Sequence, residues 1–273
     1  MSEKNFKINN RKAKQEKGKI ILKHNQVSID DYNSRTFYLA PFPIEKSPIY
    51  NFDNLATSNN HEFIREKEFK KAQKKAERRW NVNKPRNISW RLHFILFFVN
   101  YCLNKASKND IFLECGTGKG YMAEAIFNYF NWNFSKPYFF LIDTFLPYSA
   151  NDNLKQKKNK NLPFCYASNF KEINKYFSKY ENVKAIKGVC PNILQAIPKN
   201  KKIIFAHIDL NNEVAEIKTL KYFVKKNLFR EGSVIIFDDY GANKNLAKGL
   251  RSYLKKIKKK ILISPTGQGI IVF

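Results

Sequence analysis

From residue 110 onward the chain alternates short apolar runs with amphipathic stretches, and this alternation constrains its fold more than any other feature. Runs at 111–113, 138–142, 183–186, 202–208 and 233–237 have the length and the aromatic and β-branched content of buried strands. Apolar stripes spaced three and four apart lie between them: Phe170, Ile173 and Phe177; Ile217, Leu220, Val224 and Leu228; Leu246, Leu250, Leu254 and Ile257. The stretch 261–273 reads as strand, Pro/Gly turn, strand. Strands alternating with helices pack as a mostly parallel sheet covered on both faces, and the closing hairpin adds an antiparallel pair. The expected fold class is α/β: a doubly wound, mostly parallel seven-stranded sheet with a C-terminal antiparallel hairpin.

The N-terminal part reads differently. Residues 1–60 lack sustained periodicity, and Pro41, Pro43 and Pro48 would break any helix there, so an irregular arm is expected. Phe69, Ala72, Ala76 and Trp80 predict a basic helix over 61–80, with a docking face for this extension, and 88–104 predict a second, more apolar helix. The expected division is therefore a mainly helical extension over 1–87, as lid or dimer contact, and one α/β domain over 88–273.

Composition limits the class of protein. An aromatic content of 15% and a hydrophobic content of 43% are enough for a real core and exclude wholesale disorder. The longest apolar run, 93–99, is far short of the roughly 20 residues a membrane helix needs. The first 20 residues have no apolar core of a secretory leader. Cys102, Cys115, Cys165 and Cys190 lie far apart, as buried thiols of a cytoplasmic protein would. Fifty Lys and Arg against 23 Asp and Glu leave a net charge of +27. Such a charge suits nucleic acid, an anionic surface or a phosphorylated substrate, and also follows from a Lys-, Asn-, Ile- and Phe-rich composition alone.

The chemistry concentrates at strand ends. The segment FLECGTGKGYMAEAI (112–126) is a strand ending in Glu114, a turn with Gly116, Gly118 and Gly120, and then a helix. Glycines there let the backbone turn tightly and approach a ligand closely. The spacing differs from the dinucleotide fingerprint and the phosphate-binding loop, and the acid in front would repel phosphate. It suits a cationic or hydroxyl-rich ligand. The next strand ends at Asp143, placed to accept ribose hydroxyls or to cap its own loop. His207-Ile-Asp209 and Phe237-Asp-Asp-Tyr-Gly241 end two further strands, so Asp209, Asp238 and Asp239 should converge on one crevice. Three crowded carboxylates either hold a hard divalent cation such as Mg²⁺ or raise one another's pKa.

These motifs in this order resemble the class I S-adenosylmethionine-dependent methyltransferases, specifically the macrocin O-methyltransferase (TylF-like) family. The resemblance covers roughly residues 87–273 and takes in Trp90-Arg91, the glycine loop, Leu141-Ile-Asp-Thr-Phe145, residues 183–188, the two aspartate motifs and Pro265-Thr-Gly-Gln-Gly269. It implies a Rossmann-like methyltransferase domain using S-adenosyl-L-methionine. Glu114, Gly116, Gly118, Gly120, Asp143, Thr144 and Arg91 would serve the cofactor, and Asp209, Asp238 and Asp239 would hold Mg²⁺ or a similar cation. The implied reaction is metal-assisted methylation of a sugar hydroxyl on a glycan, glycolipid or glycosylated metabolite, with an anionic acceptor favoured by the basic shell.

One departure bears on the base. Well-studied members carry Asp-x-Asp after the fourth strand, whereas this chain has Asp209-Leu-Asn211. An amide cannot act as a base, although it can hold a hydroxyl or a metal. The remaining candidates are Glu213, Glu216, His207, or water beside an acidifying metal, with Glu216 near two turns from Asp209. Blander readings stand beside these: His207 and His93 as core histidines, Cys115 as a small filler, and Trp90 and Tyr240 as packing. Two rival functions are an RNA methyltransferase, which the charge favours but no RNA-binding signature supports, and a degenerate binding subunit, which Asn211 permits. A homo-oligomer built on the N-terminal segment stays open.

Overall fold

The computed structural model describes residues 4–8, 11–16, 19–22, 50–53, 55–57, 61–80, 87–146 and 169–273. Pro41, Pro43, Pro48, Cys165 and most of the two loops on which acceptor choice should depend, 40–60 and 145–165, lie outside them. The chain divides into two compact units, Met1–Glu62 and Phe63–Phe273.

In the first unit β1 (Lys4–Ile8), β2 (Arg11–Glu16) and β3 (Lys19–Leu22) form an antiparallel sheet, and β4 (Tyr50–Phe52) pairs with β5 (Leu55–Thr57). Strands thus stand in part of the segment expected to be irregular. Their apolar residues are sparse among lysines, so periodicity is a poor guide, and register comes from paired backbone.

The second unit begins with α1 (Lys67–Trp80) and α2 (Ser89–Leu103), continues through β6 (Asp110–Cys115), α3 (Tyr121–Tyr129), β7 (Tyr138–Asp143), α4 (Phe170–Phe177), β8 (Val183–Lys187), β9 (Lys202–Ile208), α5 (Glu213–Lys225), β10 (Phe229–Phe237) and α6 (Lys244–Lys256), and closes with β11 (Leu262–Ile263) and β12 (Gly269–Val272). The sheet order is β11-β12-β10-β9-β6-β7-β8. β6 to β10 run parallel, while β12 is antiparallel to both β10 and β11. This is the expected Rossmann-like sheet. The first helix, grouped by sequence with the extension, lies in this unit: Phe69, Ala72 and Ala76 are buried, and its chief packing partner is α3.

Alternation along the strands divides the core into two layers. Phe112, Phe139, Leu141, Val234 and Ile236 face α1 to α4, whereas Ile111, Leu113, Phe140, Ile142, Ile235 and Phe237 face α5 and α6. Aromatic packing dominates the first layer. The Phe127 ring meets Trp132 at 5.4 Å, Phe139 at 5.1 Å and Phe177 at 5.7 Å between centroids. At the opposite end of the sheet from the strand C-termini, buried Asp110 accepts from Arg230 at 2.7 Å and 3.0 Å. No described helix is long and apolar enough to cross a membrane.

Connections leave β6 toward β7 on one side, and the chain later returns to β9 on the other. The crevice at the C-terminal ends of these two strands is where an open α/β sheet can admit a ligand. Because Phe127 holds α3, and with it the glycine loop, against the sheet, Phe127→Ala should cost about 3–5 kcal/mol, measured by urea unfolding.

Candidate active site

The crevice holds a cavity of about 330 Å³, within the range of small-molecule sites. Glu114, Gly116 and Gly118 line it from the first strand and turn, Asp143 and Thr144 from the second, and His207, Asp209 and Asn211 from the fourth. Most of the residues predicted from strand ends therefore share one space.

Local geometry explains the glycine loop. Gly116 has φ +94°, and a Cβ there would lie 1.8 Å from the Asp209 carbonyl oxygen, so only glycine lets the β6 and β9 loops touch. The Asp209 N–H donates to the Cys115 carbonyl at 2.8 Å across the same contact. Gly118 donates its N–H to Asp143 Oδ2 at 2.7 Å, and the Phe145 N–H donates to Oδ1 at 2.8 Å. The carboxylate at the end of β7 thus orders the loop after β6. Gly120 does not line the cavity. It begins α3 with φ +81°, in the space beneath Phe177, whose ring a Cβ would meet at 2.6 Å.

Behind the cavity wall lies a chain of buried charges. His207 Nδ1 is 3.5 Å from Glu114 Oε1, and Nε2 is 3.3 Å from Asp238 Oδ1. Asp238 also accepts from Arg91 Nη1 at 2.7 Å and from Gln268 Nε2 at 2.9 Å. Burial alone would lower the His207 pKa, but its contacts with Asp238 and Glu114 outweigh that and push it up to about 10. Burial likewise works against ionising Asp238, and Arg91 and His207 hold it well below the usual carboxylate range. Both ring nitrogens of His207 lie against carboxylates, at 3.5 Å and 3.3 Å, so the ring is engaged inside the protein and is a poor general base. Burial pushes the Glu114 carboxyl upward against the pull of His207, and Glu114 Oε2 is buried without a partner among the described residues.

Two of the expected site residues, Arg91 and Asp238, do not line the cavity. Arg91, expected at the cofactor, does not line the cavity and instead grips Asp238, with a further bond to the Thr266 carbonyl at 3.4 Å. Asp238, expected as a metal ligand, has donors on both carboxylate oxygens. Among the described residues no three His, Cys, Asp or Glu side chains are grouped to hold a metal ion. The residues present therefore do not fit the divalent cation that the resemblance implies. The physical reason is competition: a guanidinium already supplies the positive charge at Asp238.

Asn211 occupies the left-handed region, φ +52°, which an Asn side chain tolerates, and its Nδ2 donates to Asp209 Oδ1 at 3.1 Å. Glu216 stands behind this loop. It is 2% exposed, and its Oε1 accepts from the Leu210 N–H at 3.1 Å. Burial, and then the charges of Asp209 and Asp239, push its pKa up to about 8. Motif reading missed Gln268, which is fully buried, and Arg79 of α1, whose Nε donates to the Lys119 carbonyl at 3.0 Å from outside the cavity. Only the Pro265-Thr-Gly-Gln-Gly269 string hinted at the former. Cys115 is the buried filler expected, its thiol pushed upward first by Cys190 and then by burial.

The sheet order, with its crevice at the strand C-termini, is a Rossmann-like fold. Solved structures that share it include two methyltransferases. The O-methyltransferase NovP is 17% identical, with 67% of this chain and 78% of that one covered at a TM-score of 0.52. The S-adenosylhomocysteine-bound methyltransferase PaMTH1 of Podospora anserina is 14% identical, with 93% and 98% covered at a TM-score of 0.51. No family model and no curated protein matches the chain.

A carboxyl whose folded pKa is raised adds stability at low pH and loses it as pH rises from about 4.5 to about 8. Glu216→Gln keeps the neutral shape, so its melting temperature should lack that part of the parent's decline across this window. Thermal scans from pH 5 to pH 9 on both proteins check it, and parallel profiles would sink the buried-acid assignment.

Proposed function

We propose that the chain is an S-adenosylmethionine-dependent methyltransferase acting on a hydroxyl oxygen of a sugar-bearing small molecule. The observation that carries this reading is the joining of the glycine turn to Asp143 beside a cavity lined by acids. Glu114, Asp143 and Asp209 face that cavity in a chain of net charge +27. Carboxylates placed against that background favour a cationic, hydroxyl-bearing ligand. The fold likeness to NovP, an O-methyltransferase, and to PaMTH1, bound to S-adenosylhomocysteine, supports the same class.

The site fits this cofactor. Gly116 and Gly118 present backbone without side-chain bulk, and Glu114 Oε2 is a buried acceptor at the cavity wall. Bound S-adenosylmethionine would supply a methyl group on a sulfonium, which leaves as a neutral thioether when the carbon–sulfur bond breaks. Asp143 would accept the ribose hydroxyls while still ordering Gly118. Glu114, held by His207, would meet the positively charged end. Asp209 would take the acceptor's proton as its oxygen forms the new bond to the methyl carbon, with Asn211 orienting the carboxylate. No step here runs through a metal ion. The sugar acceptor rests on the resemblance in motif order, and Lys119 at the cavity suits an anionic one.

Calorimetry with S-adenosylhomocysteine tests the reading. Saturable binding is expected, weakened roughly a hundredfold or more by Asp143→Ala, since two hydrogen bonds to a charged group, at about 1.5–3 kcal/mol each, are lost. No heat at millimolar ligand would leave the degenerate-subunit alternative standing. Methyl transfer to RNA, with binding that falls steeply with salt, would favour the nucleic-acid alternative.

A further inference from the structure

We propose that the guanidinium of Arg91 stands where the resemblance places a divalent cation, so that this site works without a bound metal. The metal-free part rests on geometry alone, whereas its catalytic meaning rests on the methyltransferase reading above.

Arg91 rises from the first turn of α2 and points at the Asp238–Asp239 pair. Its Nη1 lies 2.7 Å from Asp238 Oδ2 and 3.7 Å from Asp239 Oδ1, and donates also to the Asp238 carbonyl at 2.9 Å. One nitrogen thus addresses both carboxylates and the backbone between them. The other carboxylate oxygen of Asp238 faces Gln268 Nε2 at 2.9 Å and His207 Nε2 at 3.3 Å. Three donors already take three of the roughly four lone-pair directions of this carboxylate, which leaves little of it for an ion. A divalent ion bound there would also sit against a fixed positive charge.

This arginine is no swinging surface side chain. It is 12% exposed, and Nη2 is held by the Thr266 carbonyl at 3.4 Å. Asp209 belongs to a different arrangement, paired with Asn211 and lining the cavity that Asp238 does not line. Arginine can replace a cation's charge and its bridging of two carboxylates, but it cannot acidify a bound hydroxyl as a metal does. Proton removal then falls to a side chain at the cavity.

The test uses the full chain, stripped with chelator and titrated with Mn²⁺ while water proton relaxation is followed, with and without S-adenosylhomocysteine. The unaltered protein should show no saturable Mn²⁺ binding at millimolar metal. Arg91→Met, shown by circular dichroism to be folded, should bind Mn²⁺ at least about tenfold more tightly, because the guanidinium that addresses both Asp238 and Asp239 is then gone. One Mn²⁺ per unaltered chain, lost in Asp238→Asn, would overturn the proposal. So would a folded Arg91→Met chain that binds no more metal than its parent. If Arg91→Met does not fold, the titration of the unaltered protein decides alone. Calorimetry with S-adenosylhomocysteine runs in parallel. Its failure would remove the methyltransferase reading while the Mn²⁺ result still judged the arginine.

Discussion

The buried chain of alternating charges, Glu114–His207–Asp238–Arg91, is the interaction on which the rest of the site depends. It joins the ends of β6, β9 and β10 to α2, and Gln268 adds the closing hairpin. Each member is costly to bury alone, and each is tolerable because its neighbour carries the opposite sign. The chain has two carboxylates and two cations, so the interior stays close to neutral. Its order also sets the chemistry on either side. Glu114 is left at the cavity wall, while Asp238 is withdrawn from it. Removing any one member would leave an uncompensated charge behind the glycine loop, which makes the network a constraint on the whole crevice.

The position of acids inside a basic protein changes the meaning of the net charge. A charge of +27 by itself points to nucleic acid or an anionic surface. The cavity instead collects carboxylates, and Lys119 is the basic residue placed at it. Strand ends account for this. They bring Glu114, Asp143 and Asp209 to one edge of the sheet, whereas the lysines are spread over helices, loops and strands along the whole chain. The field in the cavity is therefore set by the few charged groups that line it more than by the sum over the chain.

Much of the fold was legible in the sequence because two periodicities carry it. Alternation in β6, β7 and β10 separates the two core layers, and three-and-four spacing marks α4, α5 and α6. The strands of the first 22 residues were not legible, since they are short and their apolar residues set no sustained alternation. The site was legible only by proximity to strand ends. That rule placed Glu114, Asp143, Thr144 and Asp209 correctly at the cavity. It did not foretell that Arg91 of α2 would meet Asp238, because a strand end says where a side chain begins and not which partner claims it.

Sequence alone determined the parallel sheet, the glycine turn and the two acids that flank it, because each follows from local spacing along one strand and its loop. Tertiary structure decided the partners. Arg91 and Asp238 are 147 residues apart, and Gln268 reaches Asp238 from the last hairpin. No local pattern links them, and the same aspartates with the arginine elsewhere could have received a cation. What separates the two outcomes is a contact of 2.7 Å between α2 and the end of β10, formed only once the sheet and its helices have packed.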